Sequence, residues 1–295
     1  MDWWITFDQQ AADYLPDLRI EKEEPMDRHT SFRIGGPARR MAFPERGEQL
    51  VLLLDMAARC GARPLVMGNG TNLLAPDEGL DRLVIDTSAG LSRVEAGGTP
   101  GTILAEAGAS LARVADFACR QGLAGLEFAH GIPGTVGGAL YMNAGTGGHG
   151  VLDAVYSVCV LDADTFEFKT IFQKECNKSY RKSIFQAKND LIVSADFPVR
   201  HMCESEEIFG EIRARLAARK AVQPLEYPNA GSTFKRHDPA VPLSRLLDEL
   251  GLRGMRVGSA AVSEKHAGFI VNLGGATAAD VMKLAMIRVY DRLWR

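Results

Sequence analysis

Two short stretches hold the residues best suited to chemistry. Gly68-Asn69-Gly70-Thr71-Asn72 directly follows the strand-like run RPLVMG. Glycines there admit unusual dihedrals and turn several backbone N–H groups toward one anion, as a phosphate-cradling loop requires. The stretch is not GxGxxG and lacks a Walker lysine, so taken alone it reads equally well as a tight turn. The second stretch, GIPGTVGGALYMNAG from Gly131 to Gly145, lets backbone approach a flat cofactor or a pyrophosphate, and Asn143 adds a donor and an acceptor. Two such loops fit one long dinucleotide. The bland alternative is a glycine-rich crossover between packed elements.

Metal chemistry finds little support. The histidines, His266 and His29 among them, have no ligand spacing. The five cysteines (Cys60, Cys119, Cys159, Cys176, Cys203) form no CxxC pair, which argues against a zinc ribbon or disulfide framework and reads as small buried hydrophobes in a reducing compartment.

The elements that position the loops follow from periodicity. From about Glu45 to Ala58 apolar residues recur at helical spacing, with Gly61 as the stop. Strands are predicted at RPLVMG, LVIDT and TILAEAG, and a helix runs from an N-cap at Ser110 to Gly122. VYSVCVLDADTFEFKTIF reads as a hairpin turning at Asp162 to Asp164, with DLIVSADFPV as a further strand. The charged stretch Glu204 to Lys220 reads as a helix leading to Pro224 and Pro228, the expected interdomain connection. Beyond it come a helix after Pro242, a strand at GFIVNL, and a last helix opened by Thr277 with Asp280 in a capping box.

Composition bounds the rest. The 295 residues, 46% hydrophobic and 24% charged, can bury a sizeable core in two or three domains. Thirty-four basic against thirty-seven acidic residues leave no basic excess for gripping nucleic acid. Phe128 to Leu152 contains no Asp, Glu, Lys or Arg, yet eight glycines between Gly131 and Gly150, with Pro133, rule out a membrane helix. MDWWITF carries Asp2 instead of a basic leader, so export is not indicated and a cytoplasmic location is expected.

HTSFRIGGPA (29–38), GNGTNLL, LEFAHGIPGTVGGALYMNAG, SYRKSIFQ, PNAGSTFKR and HAGFIVN occur in the order found in the UDP-N-acetylenolpyruvoylglucosamine reductases of peptidoglycan synthesis, and the chain resembles that family, in its shorter type II-like form, from about residue 27 to 290. The resemblance implies an α+β flavoprotein of two lobes: an FAD-binding domain of the vanillyl-alcohol-oxidase (PCMH) type and a smaller α+β substrate-binding domain, with FAD in the cleft. Expected boundaries are an N-terminal extension at 1–26, the FAD-binding domain at 27–203 with two subdomains split near 88–100, and the substrate-binding domain at 204–295.

The implied reaction passes hydride from NADPH to FAD and then to C3 of the enolpyruvyl ether, while C2 accepts a proton, giving UDP-N-acetylmuramate for cell-wall synthesis. The family's flavin contacts fall on Arg33, Gly68, Asn69, Gly70, Thr71, Asn72, Gly131, Ile132, Pro133, Gly134, Thr135, Gly137, Gly138, Ala139, Asn143, Gly145 and Ile192. Arg181 in SYRKS matches the residue that stabilises enolate-like charge through the substrate carboxylate, a task suited to a guanidinium that pairs bidentately and stays protonated. Isolated, it reads as a surface arginine. Ser232 matches the proton donor to C2; a hydroxyl is a weak acid and needs nearby cations and a dry site. Lys220, Asn229, Gly231 and Lys235 match substrate-binding positions, with the two lysines able to hold the diphosphate. A Ser-Thr pair after glycine is otherwise an ordinary turn or cap.

Two departures from the pattern stand out. The family carries a catalytic glutamate beyond its last helix, and the sequence reaches Arg295 without an evident counterpart, so no third catalytic residue is nominated; Glu226 and Glu264 read as solvated. His130 replaces the usual small residue before GIPG; a partly buried, hydrogen-bonded histidine is the ordinary reading, and a covalent flavin link the conceivable one. Three other readings follow: a flavin-binding paralogue without turnover, a truncated form, and another FAD-dependent oxidase of the same superfamily. No partner protein, membrane or nucleic acid is indicated.

Overall fold

Local sequence rules account for most elements of the computed structural model, which describes residues 2–99, 101–146, 148–188, 190–198, 201–202, 204–235 and 243–293. In chain order these are α1 (Trp3–Tyr14), β1 (Ile20–Pro25), β2 (Pro37–Ala42), α2 (Gly47–Cys60), β3 (Leu65–Met67), β4 (Leu80–Asp86), β5 (Val94–Ala96) and β6 (Thr102–Glu106). Then follow α3 (Leu111–Arg120), β7 (Leu123–Ala124), α4 (Glu127–His130), α5 (Val136–Tyr141), β8 (Gly145–Thr146), β9 (His149–Gly150), β10 (Ser157–Asp162), β11 (Phe168–Phe172), β12 (Asp190–Pro198) and β13 (His201–Met202). The last elements are α6 (Ser205–Val222), α7 (Leu243–Glu249), β14 (Arg256–Val257), β15 (Ala260–Val262), β16 (Ile270–Asn272) and α8 (Ala278–Leu293).

The chain forms two compact units. One comprises Met1–Lys22, Arg40–Asn69 and Arg82–Leu216; the other comprises Glu23–Arg39, Gly70–Asp81 and Ala217–Arg295. This grouping differs from the linear cuts expected from sequence. The motif segment 23–39 and the end of the first glycine loop pack with the C-terminal residues, because Phe32, Ile34 and Leu74 join one apolar cluster with Leu247, Leu252, Val262, Ile270 and Leu284.

In the first unit a five-stranded antiparallel sheet, ordered β11-β10-β12-β6-β5, is packed on both faces along its central strand β12. Alternation along β12 explains this: Ala195 and Phe197 enter one core with residues of α3 and α5, while Leu191 and Val193 pack against the other. That second core contains α1 and α2. The segment expected only as an extension forms α1, whose Phe7 and Ala11 are buried beside Leu50, Leu53 and Leu54 of α2. Apolar residues at helical spacing account for that packing. Helix α2 stops at Gly61, φ 71°, and α3 starts at Ser110, whose hydroxyl accepts the Arg113 N–H at 3.2 Å.

The second unit carries an antiparallel sheet, β14-β15-β16, and helix α8. The expected capping box is present: the Thr277 N–H donates to Asp280 at 3.2 Å and the Asp280 N–H donates to Thr277 Oγ1 at 3.0 Å. Asp77 adds a long-range cap, accepting the N–H groups of Ala278 (2.7 Å) and Ala279 (3.0 Å).

Candidate functional site

In the first unit the two glycine stretches meet. Gly68 follows β3, and a Cβ added there would lie 2.7 Å from Cγ2 of Thr135 and closer still to its hydroxyl. Only glycine permits that approach. Thr135 is buried and caps α5, accepting the Gly138 N–H at 3.5 Å. Gly137 lies on Ala107, donating to its carbonyl at 2.8 Å. Among the described residues, the backbone N–H groups of Gly68, Asn69, Gly134 and Thr135 make no hydrogen bond. A cluster of N–H donors left without partners fits an anionic group such as the pyrophosphate of FAD.

The SYRKS motif is laced onto the same loop. Ser179 and Lys182 exchange backbone hydrogen bonds at 3.2 and 3.1 Å, which sets Tyr180 and Arg181 at the tip of a tight turn. Ser183 Oγ and Gln186 Nε2 both donate to the Tyr141 carbonyl, at 2.7 and 2.8 Å. Arg181 has a left-handed backbone, φ 56°, and its guanidinium donates to the carbonyls of Asn143 (3.5 Å) and Gly145 (3.3 Å). Among the described residues no carboxylate pairs with it. The cation is thus held by carbonyl dipoles and keeps its charge for an anion. Asn143, φ 41°, uses its amide on the protein itself, donating to the Ser179 carbonyl at 2.9 Å and accepting the Leu152 N–H at 3.3 Å. Gly131, Ile132 and Pro133 lead into the α5 cap, Ala139 is buried within α5, and Ile192 packs on the core from β12.

In the second unit three motifs converge. Ser31 Oγ donates to the Asn229 carbonyl at 2.6 Å, and Asn272 Nδ2 donates to the carbonyls of Phe32 (3.0 Å) and Arg33 (3.3 Å). Ser232 forms a β-bridge with Phe269, and the adjacent Thr233 N–H donates to the Gly268 carbonyl at 2.9 Å. The Gly231 N–H donates to Asn229 Oδ1 at 2.9 Å, which supports a left-handed Gly231, φ 79°. Ser232, Lys220 and Lys235 are exposed, and among the described residues neither lysine has a carboxylate partner. Gly70, Thr71 and Asn72 belong to this unit, with Gly70, φ 59°, against the His29 carbonyl. The first unit therefore collects Gly68, Asn69, Gly131–Gly145, Arg181 and Ile192, and the second collects Arg33, Gly70–Asn72, Lys220, Asn229, Gly231, Ser232 and Lys235.

Sequence reasoning missed Asn272, which is buried and holds four backbone groups, and missed Ser179 and Ser183. All three lie in quoted motifs, yet only tertiary contacts give them a task. His130 is half-buried with Nε2 3.1 Å from Asp116, while its Nδ1 is buried and unpartnered among the described residues. Of the cysteines, Cys119 and Cys176 are buried and Cys60 and Cys159 half-buried; Cys203 lies outside the described residues. Burial pushes the thiols of Cys119, Cys159 and Cys176 up. Glu226 pairs with Lys265 at 3.5 Å, an exposed contact. No group of residues able to hold a metal occurs among the described residues, and no described helix is long and apolar enough to cross a membrane.

Residues 38–165 match the FAD binding domain family, and this match, together with the two glycine loops that meet beyond the parallel pair β3 and β4, makes the chain an α+β flavoprotein with an FAD-binding domain of the vanillyl-alcohol-oxidase type. Residues 223–290 match the C-terminal domain of UDP-N-acetylenolpyruvoylglucosamine reductase. The curated reductase of that name from Agathobacter rectalis is 44% identical over 95% of this chain and 91% of its own length. The one from Pseudothermotoga lettingae is 41% identical over 91% and 90%. The crystal structure of the Thermus caldophilus enzyme superposes with a TM-score of 0.79 at 35% identity, covering 91% of this chain and 93% of that one. The chain belongs to the UDP-N-acetylenolpyruvoylglucosamine reductase family. Physcomitrella patens BBE-like 1, at 16% identity and a TM-score of 0.51 over 66% of this chain and 44% of its own, shares the fold alone.

Proposed function

We propose that this protein reduces UDP-N-acetylglucosamine enolpyruvate to UDP-N-acetylmuramate with NADPH, through FAD, in cytoplasmic peptidoglycan precursor synthesis. The observation that carries the reading is Arg181: a cation with no carboxylate partner among the described residues, tied by its donors to the glycine-rich loop. FAD held by the glycine loops would supply the hydride chemistry that links NADPH to C3 of the enolpyruvyl ether. The chain's own residues do the rest. Gly68 to Asn72, Gly131 to Ala139, Arg33, Asn143, Gly145 and Ile192 hold the cofactor through backbone donors and close approach. Arg181 pairs with the substrate carboxylate and stabilises the negative charge that develops once hydride arrives.

Ser232 gives its hydroxyl proton to C2. The alkoxide left behind is costly, and positive charge from Lys235 and Lys220 lowers that cost while the same lysines grip the diphosphate beside Asn229 and Gly231. The roles separate in half-reactions. In Ser232→Ala, NADPH should still bleach the flavin at the wild-type rate, whereas reoxidation by the enolpyruvyl acceptor should slow by about a hundredfold or more. Equal reoxidation rates in wild type and Ser232→Ala would remove the proton-donor assignment. In Arg181→Ala the acceptor should also bind more weakly, because its carboxylate loses its partner.

A further inference from the structure

The HAGFIVN motif contains a histidine that the reaction as described leaves unused. The His266 ring accepts the backbone N–H of Gly268 on Nδ1 at 3.1 Å. A neutral imidazole that accepts on Nδ1 carries its proton on Nε2, so the tautomer is fixed by the fold. The same ring stands edge-on to Phe269, centroids 4.9 Å apart at 78°, and the Phe269 N–H donates to the His266 carbonyl at 3.0 Å. The turn is closed from its other end by Ser263, whose Oγ accepts the N–H groups of Lys265 and His266 and whose N–H donates to Phe269 at 2.9 Å.

Gly268 and Phe269 are the residues against which the Ser232 segment is registered. Ser232 bridges Phe269, the Thr233 N–H donates to the Gly268 carbonyl at 2.9 Å, and the Ile270 N–H donates to Thr233 Oγ1 at 3.2 Å. A Cβ on Gly268 would lie 2.9 Å from Cε1 of His266, so ring and glycine are closely packed. The position of Ser232 is thus set by a peptide whose N–H is held by the His266 ring.

We propose that His266 is the positioning residue for Ser232, acting through Gly268 and Phe269, and that protonation of its Nδ1 releases Ser232 and switches off proton delivery to the substrate. A protonated Nδ1 turns the acceptor into a donor that faces the Gly268 N–H, and two donors cannot share that contact. Burial holds the ring below its usual value of 6.5, outweighing the residue's own backbone carbonyl, which favours the charged form. The charged groups facing the ring are Asp248 of α7 and Arg253 of the following turn, which pair with each other; Arg253 disfavours the charged ring and Asp248 favours it. Acceptor-dependent turnover is therefore full above pH 6.5 and falls as the pH drops through the depressed value of the folded protein.

This inference rests on Ser232 as proton donor, and its test separates the two. Acceptor-dependent NADPH oxidation by the holoenzyme is followed from pH 5 to 9 in wild type, His266→Asn, His266→Ala and Ser232→Ala. Asparagine places Oδ1 where Nδ1 stood and cannot be protonated. His266→Asn is therefore expected to recover activity at pH 8 to within about threefold of wild type and to lose the acid limb, while His266→Ala falls by roughly tenfold, the equivalent of one lost hydrogen bond. Flavin content and NADPH-driven bleaching stay unchanged in both. Spectra of 15N-histidine-labelled protein at pH 8 should show one ring with Nδ1 unprotonated and Nε2 protonated, absent from His266→Asn. An acid limb that persists in His266→Asn, or a His266 ring protonated on Nδ1 at pH 8, overturns the proposal. Wild-type turnover in Ser232→Ala would instead refute the proton-donor reading and leave the tautomer finding standing.

Discussion

Replacing Gly68 by alanine tests whether the contact between the glycine loops is what holds the flavin. The new Cβ would sit 2.7 Å from Thr135 Cγ2 and 2.9 Å from its Cβ, with the hydroxyl nearer still. Thr135 is 2% exposed, so it cannot give way by swinging into solvent. Two costs combine. Overpacking of a filled site runs to about 1–3 kcal/mol, and displacing the Thr135 hydroxyl from the Gly138 N–H costs about 1 kcal/mol as a lost helix cap. FAD binding bears whatever part of this strain the apoprotein relaxes, so at 1.4 kcal/mol per tenfold a sum of about 2–4 kcal/mol sets an upper bound of about 30-fold to about 700-fold on the loss of affinity, the remainder lowering the melting temperature. The assay is a titration of apoprotein with FAD, read by quenching of flavin fluorescence, with a thermal scan for stability. Gly98→Ala is the control, since a Cβ there meets nothing within 4 Å. A Gly68→Ala protein with wild-type flavin affinity and melting temperature would show that the loop contact does not hold the flavin.

Three further outcomes are expected. Asn272→Ala strands the carbonyls of Phe32 and Arg33 and the N–H groups of Gly274 and Ala276, and should cost about 2–4 kcal/mol in urea unfolding; a loss under 1 kcal/mol would mean those groups find other partners. Gly210 lies inside α6 with nothing within 4 Å of an added Cβ, so Gly210→Ala should raise stability by about 0.5–1 kcal/mol. The Thr277 N–H holds the Asp280 carboxyl below its usual 3.8, so its contribution is present above that value and is lost as the pH falls through the depressed one. The gap in melting temperature between wild type and Asp280→Ala should therefore narrow below pH 3.8, and a gap that holds constant down to pH 2 would contradict the capping assignment.

Much of this was legible in the residues because it is local. Gly61, Ser110 and the Thr277–Asp280 pair mark helix ends through contacts within a few residues, and they stand where periodicity predicts. The glycine loops were legible as a type of site, because missing side chains advertise close approach; that Gly68 touches Thr135 was not, since 67 residues separate them. Segment 23–39 shows the limit most clearly. It precedes both glycine loops in the chain yet shares a core with residues beyond 217, because Phe32 and Ile34 pack with Leu247 and Leu252. No periodicity within the segment carries that information. Helix α1 was overlooked for a similar reason: its buried positions, Phe7 and Ala11, gain meaning only against α2.

The most direct measurement is NADPH consumption by purified holoenzyme with and without UDP-N-acetylglucosamine enolpyruvate, with the product weighed by mass spectrometry. Oxidation that depends on the acceptor, with a product heavier by two hydrogens, UDP-N-acetylmuramate, is the expected result. Flavin-loaded protein that consumes no NADPH in response to the acceptor, or consumes oxygen in its place, would contradict it.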